Sequence, residues 1–452
     1  MSAQRLSMKI CLGFGLGTVG VSIMLNAVTA YYPAFMSTVL GQSPEVAGYL
    51  MMGAKLYDAF VDILIGNMSD RSRSAWGRRR PFMLLGAILA AASFLMLFAP
   101  PALSSSALIA YMIAAQILYS TAYSLFAVPY MALPAELTDR FAERTRLISY
   151  RTVFVSIGQM LATAGTAAVI KAGGAGGSAY AMMGVVMALV IFGTMTGTVL
   201  AVPATHAQKD EKSPAQKVPF GRQVRLITRN RPYMLLLGAK VFQFLAFASM
   251  GSTGLLYLLN VLNLGYSGQI TLTATSNVAT ALSMPLWVWM GARIGKHRTY
   301  LVGVLVFCAT ALSWLAVGRG VSEGQIIVRG IFAGVGSGSL ILMSISMLGD
   351  TMAYDRLITG MAREGLLSSA VAVVEKASFA LGVAILGLCL RAAHYIPTTG
   401  GRLVEQPHSA MTALTLGYTA VPALLFIANG VFIWLYDLDE GKMAATRARL
   451  AA

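Results

Sequence analysis

Long apolar segments separated by short polar turns recur along almost the whole chain. A helix that crosses a bilayer needs about 20 mostly apolar residues. Twelve segments meet that length, roughly 8–32, 46–68, 81–100, 106–133, 147–171, 178–202, 233–259, 268–291, 299–317, 325–349, 365–391 and 411–436. The polar stretch from Pro203 to Pro232 divides them six and six and reads as a linker. The pattern therefore predicts an all-α integral membrane protein of twelve transmembrane helices in two six-helix bundles, 1–202 and 233–436. The linker is 203–232 and the tail 437–452. Arg5 and Lys9 before an apolar run resemble a signal peptide, but the run continues to about Tyr32 with no early small-x-small site, so it reads as a retained first span.

Composition and charge agree with that picture. Of 452 residues, 57% are hydrophobic and only 12% charged, whereas soluble domains carry about 25% charged residues. A formal charge of +16 in a soluble protein would suggest nucleic acid. Here the basic residues sit in short loops, where the positive-inside rule explains them. With a cytoplasmic N-terminus, the inner segments hold Arg71, Arg73, Arg78, Arg79 and Arg80, then Arg140, Arg144 and Arg146, then Lys209 to Arg231. Arg293, Lys296 and Arg298 follow, with Arg356, Arg363 and the tail's Lys442, Arg447 and Arg449. The outer loops hold only Lys171, Arg319, Arg391 and Arg402, so both termini are expected to be cytoplasmic. Cys11, Cys308 and Cys389 lie far apart in apolar segments and read as small core residues; the four histidines form no cluster. Neither an enzyme, a metal cluster nor a nucleic-acid partner is indicated. Gly15-x-Gly17-x-x-Gly20 has the dinucleotide-binding spacing but lies inside a span, where close helix packing is its expected role.

The candidate chemistry lies in the second span. Lys55, Asp58 and Asp62 share one helical face, and an ionisable group at the bilayer centre costs roughly 2.5–3.5 kcal/mol even on the lenient scale. Two carboxylates so close cannot both ionise cheaply without a cation. A Na⁺ or a proton would relieve them; an ion pair with Lys55 or Lys376 that merely joins helices is the alternative. Arg151, near the start of its span, and Lys376, in mid-helix, are further intramembrane cations in corresponding helices of the two halves. Glu375 is another mid-membrane acid. Lys240 and Arg329 lie nearer helix ends, where snorkelling is expected. The Tyr31–Tyr32 pair reads as a packing or interface feature.

The halves echo one another. Asp70-Arg71-Ser-Arg73-Ser-Ala-Trp76-Gly77-Arg78-Arg79-Arg80 parallels Gly291-Ala-Arg293-Ile-Gly295-Lys296-His297-Arg298, and Glu136 to Arg140 parallels Asp350 to Arg356. Such halves are the architecture of the major facilitator superfamily. Within it the chain resembles the glycoside–pentoside–hexuronide:cation symporters of the melibiose-permease type. The resemblance rests on Asp58-Ala-x-x-Asp62-x-x-x-Gly66 and the loop Asp70-Arg71-x-Arg73-x-x-Trp76-Gly77-Arg78-Arg79-Arg80-Pro81. Tyr123-Ser124-x-x-x-x-Pro129, Arg151 and the stretch from Asp350 and Tyr354-Asp355 through Arg363-Glu364-Gly365 to Lys376 extend it over nearly the whole chain.

The resemblance implies that Asp58 and Asp62 bind the coupling cation, with Ser124 contributing an oxygen, and that Lys376 and Arg151 link cation and substrate. Lys55, Glu375 and Gln159 are further substrate or coupling candidates. Asp70, Arg71, Gly77, Arg78, Arg79 and Arg80 would form a gating loop. The chain departs from the family where that pattern places sugar-gripping aspartates. Its first acid is Glu45, beyond the first span, the helix-four position is Ala127, and Val61 replaces a neutral polar residue beside Asp62. The expectation is a symporter driven by Na⁺ or H⁺, with no other cofactor, moving a sugar, glycoside or related solute by alternating access. An amphiphile such as a lysolipid, as in similar animal symporters, an organic anion, or export or antiport on the same fold are the alternatives. The expected setting is a bacterial inner membrane, in contact with lipid, the protein working as a monomer.

Overall fold

A computed structural model describes residues 6–72, 74–138, 140–203, 228, 230–360, 363–438, 441–443 and 445–446. The linker as expected at 203–232 falls mostly outside these residues, as do Arg73, Asp139 and most of the tail. Helices account for nearly all of the rest. They are α1 Met8–Thr38, α2 Pro44–Arg71, α3 Arg80–Phe98, α4 Ser105–Leu137, α5 Phe141–Met160, α6 Thr166–Ala172 and α7 Gly177–Ala201. After the linker come α8 Arg231–Leu256, α9 Gly265–Ile294, α10 Lys296–Ser313, α11 Glu323–Thr359, α12 Glu364–Ala392, α13 His408–Tyr418 and α14 Ala420–Trp434. A wide π turn, Leu161–Gly165, joins α5 to α6, and another, Tyr257–Val261, ends α8.

Ten helical stretches among the described residues are long and apolar enough to cross a membrane, with α5–α6 and α13–α14 each counting as one. Two long helices lie outside that set, and both are polar along one side. Helix α2 carries Lys55, Asp58 and Asp62; α9 carries Gln269, Thr273, Ser276, Asn277 and Thr280. Helix α2 is apolar outside and polar inside: Leu56, Phe60, Ile63 and Leu64 are exposed, while Asp58 is buried. That inversion is what lipid on one side and protein on the other require.

Small residues set the helix spacing. A Cβ on Gly13 would lie 2.2 Å from the Ala201 Cβ, one on Gly17 2.8 Å from the Thr198 hydroxyl, and one on Gly20 2.7 Å from Met195. The glycines of the fingerprint-like run thus let α1 lie against α7, while Gly15 receives the Phe154 ring of α5. Their packing role is as the sequence suggested.

The N-terminal and C-terminal helices meet mainly along α2–α12, along α1–α8, and where the π turn and α6 meet α9. Helices α2 and α12 are antiparallel: Gly387 abuts Pro44 and Glu45, Gly48 abuts Val383, and Asp58 reaches Lys376. One end of the molecule is tied firmly across this seam. There Thr398, Gly400 and Gly401 donate backbone hydrogen bonds to Ser37, Val39 and Thr38, Arg391 pairs with Glu45 at 3.0 Å, and Tyr180 bonds Tyr266 at 2.8 Å. The largest buried apolar cluster crosses the seam at the same end, through Leu255, Leu259, Tyr266, Leu390 and Leu414.

Several expectations need correction. Helix α11 runs on to Thr359, so Asp350, Tyr354, Asp355 and Arg356 are helical and not in a loop. Helix α5 begins at Phe141, which puts Arg151 well inside it. The last span is broken at Thr419, where φ −117° and ψ −78° interrupt the helix. Cys11 and Cys308 are buried as expected, but Cys389 is exposed. Tyr31 and Tyr32, by contrast, are fully buried, in keeping with the packing role expected of them.

Candidate cation and solute site

Ser120 and Ser124, one turn apart on α4, fasten it to α2. The Ser120 hydroxyl donates to the Ala54 carbonyl at 3.2 Å, and Tyr57 bonds Thr121 at 3.0 Å. Ser124, fully buried, lies 3.0 Å from Asp58 Oδ1 and 2.6 Å from Asp62 Oδ1. A hydroxyl has one proton to give, so Ser124 cannot fully satisfy two carboxylates together. The second half of the site comes from α12. Lys376 Nζ stands 2.7 Å from Asp58 Oδ2 and 2.5 Å from Asp62 Oδ2. Asp58 Oδ2 is buried and receives no well-directed hydrogen bond despite that proximity.

Two carboxylates and one ammonium leave a formal surplus of one negative charge. The four carboxylate oxygens and one hydroxyl form a hard-oxygen cluster suited to a small cation or a proton. The ammonium of Lys376 supplies the positive charge there. Truncating one partner of a buried pair costs about 3–5 kcal/mol, so the cluster is stable only while some positive group sits in it. Of the two partners considered for the acids, Lys376 is the one engaged; Lys55 makes no ion pair among the described residues. Tyr123, on α4, lies within the field of Asp58, Asp62 and Arg151. Arg151 is part-buried, and its Nε has no hydrogen-bond partner.

Glu375 points away from its neighbour and toward α8, where it pairs with Lys240 at 3.2 Å. Lys240 therefore does not snorkel. Its side chain is buried, with the ammonium also 5.4 Å from the Phe244 ring centre. Helix α12 is thus pinned by adjacent residues of opposite charge, Lys376 to α2 and Glu375 to α8. Arg329 likewise turns inward, bonding the Ser313 hydroxyl and carbonyl at the end of α10. Gln159 stands apart from the acid pair, in the wall of a cavity shared by α5 and α9.

The loop motif organises helix ends. Gly77 at φ +94° supplies a backbone conformation other residues rarely adopt. Arg79, almost fully buried, pairs with Asp70 at 2.6 Å and Glu136 at 2.8 Å and bonds Ser69 at 2.9 Å. Arg78 also pairs with Glu136, and Arg80 donates to the Val202 carbonyl at the end of α7. Arg71 is exposed in the last turn of α2. The C-terminal helices repeat the device: Gly295 has φ +89°, and Lys296 pairs with Asp350 at 2.6 Å. Deeper in, Asp355 accepts from Arg363 at 2.6 and 2.7 Å and from Asn230 at 2.9 Å.

Comparison with known proteins places this architecture. The model of one family, described as MFS/sugar transport protein, matches residues 13–440. The chain belongs to that family. Relatives match over nearly their whole length. A symporter of Synechocystis is 27% identical over 100% of this chain and 98% of its own length, and a glucuronide carrier protein homolog of Escherichia coli is 26% identical over 97% and 94%. In fold, the chain is similar to a bacterial homolog of the human lysosomal transporter Spinster, with a TM-score of 0.69 at 13% identity over 94% of this chain and 96% of that one. The MFS/sugar transport family and the fold make this a multi-pass membrane transporter, not an enzyme.

Proposed function

We propose that this transporter is a symporter that couples entry of Na⁺ or H⁺ to uptake of a sugar, glycoside or related small solute. The observation that carries the reading is the cluster of Asp58, Asp62, Ser124 and Lys376 between α2, α4 and α12. A cation entering at Asp58 and Asp62 replaces Lys376, freeing α12 from α2; when the cation leaves, Lys376 returns. The seam between N-terminal and C-terminal helices thereby changes with cation occupancy. One elementary charge moved through 100 mV supplies about 2.3 kcal/mol, enough for nearly fifty-fold accumulation.

The full architecture in this reading is twelve spans in two six-helix bundles, 1–202 and 233–436, joined by the linker 203–232. The polar helices α2 and α9 complete the set begun by the ten apolar ones. In this reading the Arg-rich turns face the cytoplasm of a bacterial inner membrane, as the positive-inside rule favours; both termini are then cytoplasmic and the tied end faces outward. The acid pair is then reached from the cytoplasm, and Asp62, one turn nearer it, is the more exposed of the two. Asp70 to Arg80 and Gly295 to Asp350 act as the paired inner hinges of the rocking motion. Because both bundles lie in one chain, a monomer suffices.

A second reading concerns the solute's charge. Lys55 has no ion-pair partner among the described residues, and Arg151 leaves Nε unpartnered. Lys55 lies in the field of Asp58 and Asp62, so Arg151, which makes no ion pair among the described residues, is the cation that favours an anionic sugar, in keeping with the glucuronide carrier homolog among the relatives. Proteoliposomes given imposed Na⁺ or H⁺ gradients separate these readings. Uptake of labelled glucosides or glucuronides above the passive level, in the direction of the cation gradient, supports symport. Solute leaving against the cation flow under both gradients contradicts it and supports antiport.

A further inference from the structure

The cavity that holds Gln159 in its wall is a chemically distinct site. It measures about 220 Å³ and lies where the end of α5 meets the outer halves of α8 to α11 and α13. That is about seven waters' share of liquid volume, room for one sugar ring or a short polyol. None of its lining side chains is charged, so an ion entering it would lose hydration with no counter-charge to replace it. The Arg329 guanidinium, over the Trp314 ring at 5.3 Å, further opposes a cation.

Its hydrogen-bonding balance is one-sided. Thr163, Thr273, Thr310 and Ser337 spend their single hydroxyl protons on the carbonyls of Gln159, Gln269, Val306 and Ala333 at 2.5–2.8 Å. What they present to the cavity is lone pairs. Asn277 gives one N–H to Thr163 at 3.2 Å and keeps its carbonyl oxygen. The side chains of Gln159 and Ser276 make no hydrogen bond among the described residues. A wall with surplus acceptors and one free amide suits a ligand rich in O–H donors. Phe307, Trp314 and Tyr418 in the wall supply apolar surface for ring C–H groups. Trp314 and Tyr418 are held by contact with one another at 6.0 Å between centroids.

We propose that this cavity binds an uncharged, hydroxyl-rich ligand of one sugar ring, at a site separate from Asp58, Asp62 and Lys376. The Thr163–Asn277 bond crosses from the N-terminal to the C-terminal helices, so a ligand here touches both. The ligand's role as transported solute rests on the symport reading; its binding does not.

The test uses the purified full chain in detergent, with equilibrium dialysis of tritiated D-glucose and D-xylose. Wild type should bind one neutral sugar per chain. Gln159→Leu and Ser276→Val should each weaken binding about tenfold through lost hydrogen bonds, while Thr152→Ala, exposed on α5, should leave it unchanged. Binding should also shift tryptophan emission, and Trp314→Phe should remove that shift. Two variants guard against a fold effect, each checked for wild-type melting and a single gel-filtration peak. No neutral-sugar binding by folded wild type, or wild-type affinity in both folded variants, overturns the site. Variant-sensitive binding without gradient-driven uptake keeps the site and sinks the symport reading instead.

Discussion

At the scale of single residues, the account turns on how two neighbouring acids are neutralised. Lys376 supplies the charge in this structure. Lys376→Met would leave Asp58 and Asp62 facing one another without a counter-charge, and stranding buried charge in this way is strongly destabilising. The variant's melting temperature should therefore lie well below that of wild type, and added Na⁺ should raise it while changing wild type far less. A variant that melts with wild type would contradict the assignment. Glu375→Gln should lower stability by about 3–5 kcal/mol by stranding the buried Lys240, with Glu375→Gln/Lys240→Met recovering most of it. Denaturant titration of both variants checks that pair. The sequence displayed the acid pair and Lys376 because charge in an apolar span stands out. It did not display the Lys240–Glu375 pair, whose members lie 135 residues apart.

At the scale of elements, glycine decides where helices touch. Gly13→Val adds bulk where even a Cβ would meet Ala201 at 2.2 Å, and overpacking of this kind costs about 1–3 kcal/mol. Gly193→Ala on the exposed side of α7 meets nothing within 4 Å and should be neutral or stabilising by up to about 1 kcal/mol, from helix propensity. Thermal unfolding in one detergent compares the two; equal effects would refute the packing argument. Span positions were legible because twenty apolar residues are hard to mistake. Helix ends were not, since α11 continues as a polar helix to Thr359 beyond its apolar part. Gln159 was singled out, but its partners on α9 were missed. The signal was present as polar residues 269, 273, 276, 277 and 280, spaced at three and four along one face.

For the molecule as a whole, the tied end must open once per cycle. Leu40 and Thr399 form an antiparallel bridge there, close enough for cysteines at both positions to join. In a Cys389→Ser background, Leu40→Cys/Thr399→Cys should lose transport on mild oxidation and regain it with reductant. Undiminished transport by the oxidised pair would show that this end does not open. The antiparallel register of α2 on α12 puts the acid pair on the same seam as the tied end, so unlocking Lys376 would loosen a contact that those ties also hold. The repeated basic loops were visible in the sequence, and each makes an ion pair with a later helix, Arg79–Glu136 and Lys296–Asp350.

The most direct test compares two flux modes of Asp58→Asn in proteoliposomes once a solute is known. Solute exchange at equal concentrations needs no driving cation, whereas accumulation does. The account predicts that exchange persists at a measurable rate while accumulation under a Na⁺ or H⁺ gradient disappears. Full gradient-driven accumulation by the variant would contradict it.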